Sequence, residues 1–170
     1  MVSRMSCYLC GTDKYSIRPG NVRDNHEVEV LECSDCGLVY LSSQEHIHEG
    51  HYENSGMHNG QTLDVDAWLK CTQIDDERRY KSLKERMINK SILDFGCGIG
   101  GFLDRAKKTA TKSAGVELEV TLQSSFQKRG LSVFPNIQDA KNNKHKWDLI
   151  TAFHVVEHLL DPVAVLKDLS

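Results

Sequence analysis

The sequence predicts an α/β protein: a partial, doubly wound sheet of about four strands, preceded by a small cysteine-bearing module. Three observations predict it. Apolar strand-like runs alternate with helical patterns from residue 64 onward. The run Ile92-Leu93-Asp94-Phe95 passes directly into the glycine cluster Gly96-Cys97-Gly98-Ile99-Gly100-Gly101. Near the start stand two copies of C-x-x-C-G. At 170 residues, with 39% hydrophobic and 26% charged residues, the chain can hold a medium domain plus a small attachment.

The cysteine pairs are Cys7-Tyr8-Leu9-Cys10-Gly11 and Cys33-Ser34-Asp35-Cys36-Gly37. Two residues between thiolates let one tight turn present both sulfurs to a tetrahedral ion, and the following glycine permits the backbone angles of that turn. Four cysteines close the shell, so the expected role is a structural zinc in a module too small for its own core. Disulfides or free thiols are the alternative, and nothing in the sequence signals the oxidising compartment that disulfides need. Short strands are expected over Glu27–Val30 and Gly37–Leu41. The module, over residues 1–42, reads as a zinc ribbon.

Residues 43–63 turn polar and carry His46, His48, His51 and His58. Their irregular spacing suits a solvated linker better than a second metal site; a lid with Tyr52 reaching the ligand is the other reading. From Asp64 to Asn89 the apolar positions Val65, Trp68, Leu69, Tyr80, Leu83 and Met87 recur near a 3.6 period, predicting a helix that packs across the sheet, with Cys71 a buried free thiol.

The first strand then leads into the glycine cluster. Phe102–Lys108 continues as a helix, Ser113–Glu117 as a second strand, Glu119–Arg129 as a helix stopped by Gly130, and Leu131–Phe134 as a third strand. Pro135–Lys146 reads as a loop in which Gln138 and Asp139 could meet an adenine amino group. Trp147–Phe153 is the fourth strand, and Asp161-Pro162 opens a final helix as N-cap and N1.

The glycines alone fit two cofactors. Gly96-x-Gly98-x-x-Gly101 matches a dinucleotide fingerprint, and Asp94-x-Gly96-x-Gly98-x-Gly100 matches an S-adenosylmethionine (SAM) loop. A pyrophosphate favours a bare helix N-terminus and is repelled by a carboxylate; an ammonium and a sulfonium favour one. Asp94 therefore points to SAM. Glu117, 23 residues further on, falls where an acid at the end of the second strand can accept both hydroxyls of an adenosine ribose.

With these residues in view, Leu93–Gly100, Gly115-Val116-Glu117 and Trp147–Pro162 resemble the successive motifs of class I SAM-dependent methyltransferases, which have a Rossmann-like fold. The leading C-x-x-C-G pair is similar to methyltransferases of sugar and surface-polysaccharide pathways. The resemblance implies a SAM-binding domain over residues 64–170, with Gly96, Cys97, Gly98 and Gly100 lining the methionine and ribose side, Asp94 orienting the ammonium, and Glu117 on the ribose. It also implies Leu118 beside the adenine, Asp139 near its amino group, and Phe153 with His154 over the sulfonium, Cys97 being a packing residue. His154 and His158, near the carboxyl edge of the sheet, are candidate general bases for an acceptor that must lose a proton; capping around the turn is the other role open to Glu157 and His158.

The expected function is methyl transfer to a small molecule, such as a nucleotide-linked sugar. An RNA methyltransferase and a noncatalytic SAM-binding scaffold are the alternatives. Residues 1–60 carry four basic against nine acidic residues, a net charge of -5, which disfavours a phosphate-tracking surface. With no leader and no apolar run near 20 residues, a cytoplasmic location away from membranes is expected. Because such domains have about seven strands, a further segment or an oligomeric partner is expected to cover the fourth strand.

Overall fold

The computed structural model describes residues 6–22, 25–43, 45 and 64–170. Most of the polar histidine segment, with Tyr52 and its lid reading, lies outside the described residues. The described residues fall into two compact units, those up to 45 together with 158–170, and 64–157.

In the first unit, β1 (Tyr15–Arg18), β2 (Val30–Cys33) and β3 (Val39–Leu41) form an antiparallel sheet in the order β1-β2-β3. The two knuckles fold alike. Cys7 N–H donates to Thr12 O and Cys33 N–H to Leu38 O, while Gly11 N–H closes on Cys7 O and Gly37 N–H on Cys33 O. Gly11 and Gly37 both adopt left-handed angles, φ 77° and 74°, which is why a glycine follows each pair. Leu31 and Cys33 alternate inward from β2 and pack with Cys7 and Tyr40, closed by Tyr8, Tyr15 and Leu38.

Two strand expectations change. The strand predicted at Glu27–Val30 begins only at Val30, because an Asx turn at Asn25, whose side chain accepts from Glu27 N–H, occupies the preceding residues. β1 was not predicted, since a four-residue strand whose Ile17 is exposed leaves little apolar signal.

The second unit opens with α1 (Val65–Met87), capped by Asp64, whose carboxylate accepts from Ala67 N–H at 3.0 Å. Tyr80, Leu83 and Met87 pack on Ile92, Phe102 and Ala106, and Val65 and Trp68 on a second cluster with Leu103, Leu122 and Phe126. Cys71 is exposed, against the expectation of a buried thiol, because it lies one position off this inward stripe.

The strands β4 (Ser91–Phe95), β5 (Lys112–Val116), β6 (Val133–Phe134) and β7 (Leu149–Thr151) are all parallel, in the order β6-β5-β4-β7. The predicted α/β sheet is present. Between β4 and β5 runs α2 (Gly101–Ala106). The helix predicted over Glu119–Arg129 is a 3-10 turn at Val120–Leu122 followed by α3 (Gln123–Lys128), the turn set by Glu119, which caps Thr121 with its own side chain. The segment predicted as a loop at Pro135–Lys146 contains α4 (Ile137–Asn142), capped by Asn136. α5 (Pro162–Leu169) starts with Asp161 accepting from Ala164 N–H at 2.9 Å. β7 hydrogen-bonds to β4 on one side, and among the described residues no strand pairs with its other edge.

Candidate functional site

The strand order turns back between β4 and β7. β5 and β6 extend one way from β4 and β7 lies on the other side, so the crevice outside the carboxyl ends of β4 and β7 is where ligands of open α/β sheets bind. The glycine loop leaves β4 at that point. Gly96, Gly98 and Gly100 all have positive φ, 68°, 51° and 76°, a sequence of angles that side chains resist. Gly96 is required twice over, because a Cβ there would collide with Val155. The chain after β7 thus lies directly on the loop.

Asp94, the fourth residue of β4, is only 2% exposed. Thr151 lies across from it in the β4–β7 register and donates its hydroxyl to Asp94 Oδ1 at 2.7 Å. Burial drives the Asp94 carboxyl from 3.8 up to about 7, with the charges of Asp76 and Glu117 adding to the rise and the Thr151 bond and Arg79 opposing it. Burial likewise raises the Glu117 carboxyl, which stands at the end of β5. Glu117 Oε2 accepts from Gly98 N–H at 2.7 Å and Oε1 from Glu119 N–H at 3.0 Å. One carboxylate therefore holds the glycine loop and the β5 exit together.

Cys97 is buried, and a Cβ on Gly115 would sit 2.5 Å from its sulfur. Burial pushes its thiol well above the ordinary range, so the thiolate is disfavoured. Leu118 is 39% exposed beside Glu117. Asp139 is on the exposed first turn of α4, accepting from the Asn136 side-chain amide at 3.3 Å. Phe153 carries the Arg79 guanidinium over its ring at 4.9 Å and the Phe102 ring edge-on at 5.1 Å. His154 is held in a left-handed conformation, φ 56°, with its side chain 70% exposed and Nδ1 3.5 Å from Glu157 Oε1. His158 is exposed at the end of a 3-10 turn.

α1 adds residues that motif reading passes over. Asp76 is 4% exposed, Arg79 lies 3.6 Å from its Oδ1, and a Cβ on Gly101 would run into its Oδ2. The signal was present as a gap: the inward stripe Val65, Trp68, Tyr80, Leu83, Met87 leaves two turns unfilled by apolar residues, where Thr72 and Asp76 stand.

In the first unit, the Sγ atoms of Cys7, Cys10, Cys33 and Cys36 lie within 4.8 Å of one another, with Cys7 to Cys36 at 3.6 Å and Cys10 to Cys33 at 3.5 Å. Four thiolates about 2.3 Å from a tetrahedral centre are about 3.8 Å apart, so this donor set could hold one metal ion.

An acid-lined glycine loop at the switch point of a parallel sheet defines a ligand-binding α/β domain. The chain belongs to the methyltransferase-domain family, which it matches over residues 72–170, the stretch that contains the glycine loop, Glu117 and the β7 exit. No curated protein matches it. Family membership supports methyl transfer as the reaction class. No helix among the described residues is long and apolar enough to cross a membrane.

Proposed function

We propose that the protein transfers a methyl group from SAM to a small-molecule acceptor at the carboxyl edge of β4 and β7. One observation carries the choice of cofactor: the buried carboxyl of Asp94 stands two residues before the first glycine, with Glu117 beside the loop. A dianionic pyrophosphate would be repelled there; a cofactor bearing an ammonium and a sulfonium is attracted. In this reading Asp94 orients the ammonium, and Glu117 accepts the ribose hydroxyls. Gly96, Cys97, Gly98 and Gly100 line the chain of the cofactor, Leu118 and Asp139 lie on the adenine side, and Phe153 and His154 cover the sulfonium.

SAM, when bound, supplies an electrophilic methyl carbon. The protein's part is to aim the acceptor in line with it and to keep the site dry. Where the acceptor must lose a proton, His154, beside Glu157, is the proposed base, with His158 second. His154→Ala should then lower turnover at saturating SAM by about 10²-fold or more, with SAM still bound. Unchanged turnover in both His154→Ala and His158→Ala would remove the base. A nucleotide-linked sugar is the acceptor class to test first, on the similarity of the cysteine pairs to sugar-pathway enzymes.

The four cysteines are proposed to hold one structural zinc. Their closed donor set leaves no position for water or substrate, and thiolates persist in a reducing compartment such as the cytoplasm. Calorimetric titration with SAM and with NAD⁺ tests the cofactor: SAM is expected to bind and NAD⁺ not. The reverse preference would overturn the reading.

A further inference from the structure

α1 turns two polar side chains inward beside the glycine loop, and neither is satisfied. Among the described residues, Thr72 Oγ1 and Asp76 Oδ2 are buried side-chain oxygens without a hydrogen-bond partner. They lie four residues apart on one helix, one above the other on the same face. Buried polar atoms are rarely left without partners, and a carboxylate oxygen so placed is costly. The Arg79 guanidinium does not resolve this. It stands 3.6 Å from Asp76 Oδ1, outside hydrogen-bond reach, spends one amino group on Asp75 at 3.3 Å, and lies over Phe153. Asp76 Oδ2 also meets no backbone donor, although it lies so close to the first residue of α2 that a Cβ at position 101 would displace it.

Asp76 is near enough to Asp94 to raise its carboxyl, and Asp94 has committed Oδ1 to Thr151. Two buried carboxyls thus flank the glycine loop, Asp94 before it and Asp76 against Gly101 at its end, and Arg79, 3.6 Å from Asp76 Oδ1, leaves Asp76 Oδ2 without a donor. A protonated amine is the group that fits: it brings one positive charge and three donors, enough to serve Asp76 Oδ2, Asp94 and the Thr72 hydroxyl together.

We infer that Asp76, assisted by Thr72, is a second carboxylate of the cofactor's amino-acid pocket and shares the α-ammonium with Asp94. The inference rests on the SAM reading above and deepens it. It assigns a cofactor-binding role to α1, the helix that comes before the glycine-loop motif, and it explains a break in an otherwise apolar stripe. It also gives Gly101 a reason to be glycine, since a side chain there would displace the carboxylate.

The test uses three adenosine ligands on the full chain. SAM carries both ammonium and sulfonium, S-adenosylhomocysteine carries the ammonium alone, and 5′-methylthioadenosine carries neither. Titration calorimetry of wild type, Asp76→Asn and Thr72→Val would be run with thermal melts. Asp76→Asn keeps the shape and removes the charge. It is expected to weaken SAM and S-adenosylhomocysteine by the same factor, about tenfold or more, and to leave methylthioadenosine unchanged; Thr72→Val should show the same pattern at a few-fold. Equal weakening of all three ligands with a lowered melting temperature would overturn the inference and make Asp76 a packing residue between α1 and α2. No change for any ligand would place it outside the pocket. Weakening of SAM alone would assign it to the sulfonium instead. If wild type binds none of the three, it is the SAM reading itself that fails, a result distinct from each of these. Should Asp76→Asn not fold, the Thr72→Val pattern decides.

Discussion

The two units of this chain solve the same problem in opposite ways. The first is built on short strands of three or four residues and a cluster whose buried members include Cys7 and Cys33 themselves. Its sulfurs are brought together by two knuckles of the same hydrogen-bond pattern. The second has a parallel sheet covered by α1, α2 and α3, with Phe102, Phe126, Ile92, Leu103 and Leu122 fully buried. Burial supplies its stability, so it can tolerate costly groups near the ligand crevice: the buried carboxyls of Asp76 and Asp94 and a histidine, His154, with positive φ. The lesson is that buried carboxyls and non-glycine residues at positive φ collect where a large apolar core can carry them, while the left-handed residues of the small module are, among the described residues, glycines that take such angles without strain.

Metal removal should separate the units most. A bound structural ion contributes about 10–16 kcal/mol in small thiolate modules, more than such a module can replace from its core. Chelation, or Cys33→Ser, is expected to abolish the dispersed amide signals of residues 6–43 in an NMR spectrum while those of β4 and β5 persist. Elemental analysis should find one zinc per chain. Loss of both sets of signals together would break the contrast.

Next in size is overpacking in the second unit. Gly115→Val would drive a side chain into Cys97 and Leu103, at a cost on the order of 3 kcal/mol, read as a lower denaturation midpoint of the second unit with one zinc per chain still bound. Smaller still is the charge of Asp94. Its carboxyl ionises near 7 in the folded protein and near 3.8 when unfolded, so the folded state holds the proton more tightly. The stability this confers is complete below about pH 4 and is lost as pH rises through about 7. Asp94→Asn should flatten that decline in melting temperature between pH 4 and 7. The smallest effect is the loss of a cap: Asp64→Ala removes the bond to Ala67 N–H and should cost about 1 kcal/mol in the second unit alone.

Much of this was legible in the sequence, for identifiable reasons. The glycine loop could be read because alternating positive φ values admit almost no residue but glycine. The cysteine pairs could be read because two residues between the thiols and a glycine after them make one repeated turn, which both knuckles form. Asp161-Pro162 marked a helix start through local capping chemistry. What escaped depends on tertiary context. α4 has one buried apolar residue, Ala140, too little for a period to register. β1 exists because β2 pairs with it, from Tyr15 opposite Cys33 to Arg18 opposite Val30. Asp76 escaped because carboxylates are seldom buried, so an acid within a helical stripe is read as solvent-facing. Cys71 was misplaced by the converse habit, in which a cysteine is assumed to be inside.

The central claim, that acids beside the glycine loop receive a cationic methyl donor, is tested most directly by titrating SAM into wild type and Asp94→Asn at pH 5.5 and 7.0. Because a cationic ligand favours the ionised carboxyl, binding must expel the proton that Asp94 holds at low pH. Wild type should bind one SAM per chain about tenfold more tightly at pH 7.0 than at 5.5. Asp94→Asn should bind weakly and equally at both. Wild-type affinity that does not change with pH, or an Asp94→Asn variant as tight as wild type, would contradict it.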